Sequence, residues 1–253
     1  MSVKAGRSNF KLACLPVADF PEIGKGDLPV SFTLPANDLR ALIDRTKFAM
    51  STEETRYYLN GIYIHAAENQ NVKVLRAVAT DGHRLARFEM PLPAGAEEMP
   101  GVILPRKAVA EIRKLVEEAG DSIQISMSES KIRFSFDHIV LTSKLIDGTF
   151  PDYQRVIPQG NDKVVEVSPK LFTSAIDRVS TISDGKSRAI KITFEGKQMT
   201  ISASSPEAGS ATEDLEINGN DNIEIGFNAR YLLDITGQIE GDGCRMTLMD
   251  SAS

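Results

Sequence analysis

The chain repeats itself. Leu42-Ile43-Asp44-Arg45 returns 133 residues later as Ala175-Ile176-Asp177-Arg178, and Val109 with Ile112 is echoed 123 residues on by Leu232 with Ile235. Arg56, ahead of one apolar run, is echoed by Arg188 ahead of Ile190-Lys191-Ile192-Thr193-Phe194, and Asp121-Ser122-Ile123-Gln124-Ile125 by Gly243-Cys244-Arg245-Met246-Thr247. Each echo alone is short enough to arise by chance. Four in one order at a nearly constant offset predict a duplicated domain. The same offset sets position 253 against about position 130, so the second copy is expected to stop two strands short of the first, and the chain to be a piece of a protein with three or more copies.

Within the first copy the pattern runs strand, helix, hairpin, strand, helix, strands, an α+β order. Ser31–Pro35 leads to Asn37 as the expected N-cap of a helix reaching about Met50, with Leu39, Leu42, Ile43 and Phe48 as its apolar stripe. A second helix is predicted from Arg106 to about Glu118, burying Val109, Ile112 and Leu115. Three strands follow over 121–127, 131–136 and 139–146. Ahead of all this, Ser8–Pro16 alternates like an edge strand whose Phe10, Leu12 and Cys14 face nothing nearby, and Gly24–Asp27 reads as a linker.

The most informative stretch is Thr55–Phe88, which reads as a hairpin. Leu59, Ile62 and Ile64 mark one strand, Val74, Leu75, Ala77 and Val78 the other, and Glu68–Asn71 the tip. At its end stands Thr80-Asp81-Gly82-His83-Arg84-Leu85, where Asp-Gly forces a tight turn. Three readings fit that turn. It can be a plain structured turn held by the Asp81 carboxylate. It can be an acid/base pair of Asp81 and His83. Or it can be a peptide-docking pocket with Leu59 and Leu85 as an apolar floor and His83 and Arg84 as a polar rim.

Composition narrows the class. Apolar residues make up 42% and charged residues 25% of the chain, as in ordinary globular domains. No apolar run approaches the roughly 20 residues of a membrane span, and Met1–Ala5 lacks a signal peptide's apolar core. Two cysteines and three histidines, none at ligand spacing, argue against a disulfide framework or a metal site. A cytoplasmic protein without metal or cofactor is expected. Net charge is −6, yet three helices (Arg40, Arg45 and Lys47 in the first, Arg106, Lys107, Arg113 and Lys114 in the second, Lys170 and Arg178 in the third) each carry a slight basic excess. Such helices are either ordinary solvated faces or a surface toward a polyanion. A hydrolase built on Asp81, His83 and Asp152 would need a nucleophile elbow, a phosphate loop or a metal cluster, and none of these motifs is present. A structural repeat module without a nucleic-acid role is the other alternative.

Several longer stretches carry a resemblance. Phe32–Pro35, Arg56–Gly61 (RYYLNG), Ala79–Ala86 (ATDGHRLA), Pro105–Lys107, Thr142–Tyr153 (TSKLIDGTFPDY) and Ile225–Asn228 resemble, in order and spacing, the bacterial DNA polymerase III β subunits, the replicative sliding clamps. The resemblance implies repeated clamp domains, each with two helices packed on antiparallel sheets, assembled head to tail as a homodimeric ring around duplex DNA. It implies no catalytic residue and no cofactor. It also implies a division into residues 1–30 (tail of a first domain), 31–152 (middle domain), 153–159 (linker) and 160–253 (third domain).

By the same resemblance, Leu59, Thr80, Gly82, His83, Arg84, Leu85, Pro151, Arg155 and Val156 form a pocket for short linear motifs. Its partners would be the polymerase III α subunit, the clamp loader δ subunit, translesion polymerases, mismatch repair proteins and ligase. Tyr57, Tyr58, Arg106 and Lys107 would contact DNA, with Glu53 replacing a family glutamine on that loop. Thr181 and Ile182 would lie at the ring-closing interface. The family completes the pocket with an apolar C-terminal segment that is not in this sequence, so weakened docking and an unclosed, monomeric or loosely associated chain are expected.

Overall fold

The computed structural model describes residues 1–20, 26–118, 120–183 and 188–251. A small hairpin, β1 (Ser2–Ala5) and β2 (Ser8–Lys11), comes first and is exposed throughout. Phe10 and Leu12 are uncovered, as the sequence predicts. What the sequence missed is β1, the partner of the Ser8 strand. The linker expected over Gly24–Asp27 lies partly outside the described residues.

The first unit then runs β3 (Val30–Pro35), α1 (Ala36–Asp44), β4 (Gly61–Asn69), β5 (Val72–Thr80), β6 (Leu85–Pro91), β7 (Val102–Pro105), α2 (Arg106–Leu115), β8 (Ser122–Met127), β9 (Lys131–Phe136) and β10 (Ile139–Lys144). The second runs β11 (Lys163–Val167), α3 (Pro169–Ser180), β12 (Ala189–Glu195), β13 (Gln198–Ser205), β14 (Gly209–Glu216), β15 (Asn222–Asn228), α4 (Ala229–Thr236) and β16 (Cys244–Leu248). All pairings are antiparallel. One sheet of the first unit has the order β6-β5-β4-β7 and its counterpart the order β14-β13-β12-β15; β10-β9-β8-β3 corresponds to the two-stranded β11-β16. Each unit closes its own core: Phe32, Leu39, Leu42, Ile43, Leu75, Ile112 and Phe134 in one, Phe172, Ile176, Phe194, Met199 and Ile201 in the other.

Strand registers align the two copies residue by residue and correct the sequence reading. Gly61 pairs with Pro105 as Ala189 pairs with Asn228. The Asn60 carbonyl accepts the first N–H of α2 at 2.9 Å, and the Arg188 carbonyl that of α4 at 3.1 Å. Arg188 therefore corresponds to Asn60, not to Arg56. Likewise Leu34 faces Ile123 as Val167 faces Cys244, so the last echo is out by one residue. Ile235, the counterpart of Ile112, is exposed near the end of the shorter helix α4.

Those carbonyls also explain why Asn37 is not an N-cap. The N–H of Ala36 is satisfied by the Asp121 carbonyl at 3.0 Å, and Pro35 takes the cap position. A neighbouring strand does the work of a capping side chain. Helix α1 ends at Asp44, short of Met50, and Phe48 sits in a separate 3-10 turn (Lys47–Ala49). Leu59 is likewise buried in a 3-10 turn (Tyr57–Leu59) rather than in the hairpin strand. The hairpin tip is as expected: Gln70 and Asn71 both have positive φ, the conformation that two-residue turns require.

Candidate docking site

Strand β5 explains where the site lies. Residues Val74–Ala79 are buried without a break, so both faces of this strand are covered. Leu75 and Ala77 point into the unit's core. Arg76 and Val78 point the other way, toward the segment from Ile146 to Ile157, which lies across the back of the sheet. There Leu59, Val78, Ile103, Phe150 and Tyr153 form a third cluster, with Tyr63 and Leu85 against it. The Phe150 ring stacks on Tyr63 at a centroid distance of 4.9 Å.

The turn from Asp81 to Arg84 joins β5 to β6 at the edge of that cluster. The Thr80 hydroxyl accepts from the N–H of Gly82 at 3.1 Å and donates to the Arg84 carbonyl at 2.7 Å. The Asp81 carboxylate accepts from the N–H groups of His83 and Arg84 at 2.9 and 3.0 Å. That is the structured-turn reading, and it is compatible with docking. It is not compatible with an acid/base pair, since Asp81 is committed to the backbone while His83 is exposed. Gly82 is required by its φ of +90°, and a Cβ there would also displace the Arg56 guanidinium from the place where Glu53 holds it at 2.7 Å. The bond to Arg56 keeps the Glu53 carboxyl below its ordinary range.

Between this turn and residues 151–156 opens a cavity of about 430 Å³, lined by Leu59, Thr80, Gly82, His83, Arg84, Leu85, Pro151 and Val156. These are all the pocket residues expected from sequence except Arg155. Arg155 turns outward to pair with Asp152 at 2.7 Å, its side chain 85% exposed. Sequence reasoning missed Arg56, Tyr58, Asp152 and Tyr153, which complete the lining. RYYLNG was the available signal for the first two. A wider opening against β12–β14, about 780 Å³, is lined by Glu195, Lys197, Gln198, Asp214 and Glu216, which outnumber the apolar Leu215 and Ile217 there.

Arg84 is more than a rim residue. Its guanidinium donates to Asp81 at 3.1 Å, to Asp234 of α4 at 2.5 Å and to the Phe48 carbonyl at 2.6 Å. It also lies over the Tyr231 ring at 4.2 Å. One arginine thus ties the docking turn of the first unit to a helix of the second, and Arg45–Glu240 at 2.7 Å makes a second tie.

The remaining candidates lie elsewhere. Tyr57 is exposed and meets Tyr58 edge-on at 5.7 Å, beside Gly148. Tyr58 is shared with the cavity wall. Arg106 opens α2 next to this turn with its Nη2 buried and without a hydrogen-bond partner among the described residues, while Lys107 is exposed. Thr181 and Ile182 close α3, exposed and half-buried respectively. The basic side chains of the first two helices are largely paired. Asp44 receives Arg113 at 2.8 Å and Lys47 at 2.5 Å, Arg113 also reaches Glu117, and Lys114 reaches Glu111. No group of three or more His, Cys, Asp or Glu suited to a metal occurs among the described residues. No helix among them is long and apolar enough to cross a membrane.

Two copies of one α+β unit, each with two helices packed on its sheets, and an apolar-floored cavity on the back of the first unit's sheet define a clamp-type scaffold. Sequence models of the DNA polymerase III beta subunit match residues 33–152 (central domain) and 154–253 (C-terminal domain). The beta sliding clamp of Caulobacter vibrioides is 50% identical over 252 residues, covering 99% of this chain and 68% of that protein. The crystal structure of the C. crescentus clamp, which holds a polyethylene glycol at a region proposed there for β-motif tethering, superposes with a TM-score of 0.94 at 50% identity, over 100% of this chain and 68% of that one. The Bartonella birtlesii clamp bound to griselimycin superposes at 0.91 with 52% identity, over 99% and 68%. The chain belongs to the bacterial DNA polymerase III β subunits, the sliding clamps. It is a processivity factor of the replicative polymerase, a ring component around DNA that tethers other proteins, and not a catalytic subunit.

Proposed function

We propose that the cavity between the Asp81–Arg84 turn and residues 151–156 is where this clamp docks short peptide motifs of its partners. What supports the reading is one observation: residues far apart in sequence converge on a single peptide-sized cavity with Leu59 and Leu85 at its floor and polar groups at its edge. The occupants would be segments of the polymerase III α subunit, the clamp loader δ subunit, translesion polymerases, mismatch repair proteins and ligase. The test is a fluorescence titration with a labelled peptide carrying one glutamine and two apolar anchors. Leu85→Ala should weaken binding about tenfold or more, the scale of a buried apolar anchor. Equal binding by both proteins would refute the assignment.

Beside the cavity we assign sequence-independent contact with duplex DNA to Tyr57, Tyr58, Arg106 and Lys107, and elsewhere ring closure in a homodimer to Thr181 and Ile182. Removing Lys107 should reduce the salt dependence of DNA retention by about one unit of slope. The accompanying division is residues 1–30, 31–152, 153–159 and 160–253, in a protein working in the cytoplasm.

A further inference from the structure

Behind the docking wall lies a buried polar row that touches no ligand position. His65 on β4 stands directly opposite Arg76 on β5, and Arg76 directly opposite Glu89 on β6. Arg76 is 4% exposed. Its Nε donates to Glu89 at 2.6 Å, its Nη1 to the Tyr153 hydroxyl at 2.9 Å and its Nη2 to the Glu68 carbonyl at 3.4 Å. The same hydroxyl lies 3.0 Å from His65 Nε2, and His65 Nδ1 lies 2.8 Å from the Ala66 carbonyl.

With a neutral imidazole these contacts admit one arrangement of protons. A guanidinium only donates, so the Tyr153 oxygen accepts from Arg76 and its own hydrogen points at His65 Nε2. A carbonyl only accepts, so Nδ1 carries the imidazole hydrogen and Nε2 must be bare. Tyr153 belongs to the cavity lining, between Pro151 and Val156, and its ring packs edge-on against Phe150 at 6.4 Å.

We propose that Tyr153 is the positioning residue of the docking wall, anchored by Arg76 and by a neutral His65, so that docking strength depends on the protonation of a histidine that never meets the peptide. The inference rests on the docking reading above. Protonated at Nε2, His65 would press a second donor on a hydroxyl whose hydrogen then has no acceptor, beside a buried guanidinium. Tyr153 would swing out and take the 151–156 wall with it.

The surroundings favour the neutral ring. Burial, and then the Arg76 charge, push the His65 imidazole below its ordinary value of 6.5, outweighing the Ala66 carbonyl and the more distant Glu89 carboxylate. Those groups, with the phenols of Tyr63 on its own strand and Tyr153 across from it, are the titratable and charged neighbours that face it. The unfolded chain therefore takes up the proton first as pH falls below 6.5, and the folded wall loosens at a lower pH.

The experiment uses the whole chain in a His83→Gln background, which leaves His65 as the one imidazole beside the cavity wall. Two quantities are followed from pH 8 to pH 5: the affinity of the same labelled peptide, and the amide protection factors of Gln154–Ile157 without peptide. Tyr153→Phe, which keeps the ring, should weaken peptide binding about five- to tenfold at pH 8, the worth of one buried hydrogen bond, and lower protection by a similar factor. The parent should lose affinity and protection together below pH 6.5. His65→Gln, which stays neutral, should remove that dependence. Unchanged protection in Tyr153→Phe, or an unchanged pH profile in His65→Gln, would overturn the proposal. Protection responding as stated with no peptide bound by any variant would overturn the docking reading, and the affinity claim with it, while the anchoring of the wall stood.

Discussion

The two large sheets are the same structure with opposite backs. By register, His65, Arg76 and Glu89 of the first correspond to Thr193, Thr200 and Asp214 of the second. In the first, the row is a buried ion pair covered by residues 146–157. In the second it is a half-buried pair of threonines beside an exposed aspartate, joined by a hydrogen bond of 2.8 Å from Thr200 to Asp214. The front of each sheet packs on its own core and is apolar in both. Duplication preserved the face that makes a domain stable and left the other free to differ. The cavity proposed for docking lies on the copy whose back is covered.

The largest effect should come from Arg76. Arg76→Met takes the guanidinium away from Glu89, which keeps Asn69 and Arg87, and from the Tyr153 hydroxyl, which keeps His65, and should cost about 3 kcal/mol, the lower end for broken buried pairs. Thr200→Val, at the matching position, should cost less than about 1 kcal/mol. Denaturant melts of both variants would measure the contrast; equal losses would mean the covered back contributes nothing special.

Arg84 comes next. Arg84→Ala removes charged hydrogen bonds to Asp81, Asp234 and the Phe48 carbonyl, worth about 1.5–3 kcal/mol in sum after compensation, and should split a single calorimetric transition into two as the units uncouple. Its foil in the second unit is Arg178, whose pair with Glu213 is 60% exposed on the arginine side. Arg178→Ala should change stability by less than about 1 kcal/mol.

Two turn glycines sharpen the comparison further. Gly82 and Gly209 have nearly equal positive φ, +90° and +96°, but a Cβ at Gly209 meets nothing within 4 Å whereas at Gly82 it meets Arg56. Alanine at either position should cost about 1 kcal/mol of backbone strain. At Gly82 it should also displace Arg56 and weaken peptide docking, and at Gly209 it should not.

The smallest effect concerns Asp44, which corresponds to Asp177, with Thr236 standing where Arg113 stands in the first unit. Burial alone would raise the Asp44 carboxyl, but its bonds to Arg113 and Lys47 outweigh that and hold it below 3.8. A depressed carboxylate adds stability that is present above pH 3.8 and lost as pH falls through its lower folded value. Asp44→Asn should therefore remove about 1 kcal/mol at neutral pH and flatten the acid limb of the stability curve.

Much of this was legible in the chain itself. Duplication showed in the two echoes whose register holds, Leu42–Arg45 with Ala175–Arg178 and Val109 and Ile112 with Leu232 and Ile235, because equivalent core positions such as Ile43 and Ile176 must fill equivalent space. The α+β order, the hairpin tip at Gln70-Asn71 and the tight Asp81-Gly82 turn follow from periodicity and backbone sterics, which act locally. The docking residues were named by resemblance, and eight of the nine line the cavity.

What the sequence could not give depends on which strand lies beside which. The starts of α1 and α2 are met by the carbonyls of Asp121 and Asn60, so no capping side chain marks them, whereas α4 has both the Arg188 carbonyl and the Asn228 side chain, which accepts the Arg230 N–H at 3.0 Å. Arg84 is a tie to α4 because Asp234, 150 residues away, happens to reach it. The run Val74–Ala79 says only that both faces are buried; that an arginine within it meets a histidine and a tyrosine hydroxyl is decided by strand register and by the path of the segment across the sheet. Propensity and turn chemistry are properties of neighbours in the chain. Partners for a buried charge are properties of neighbours in space.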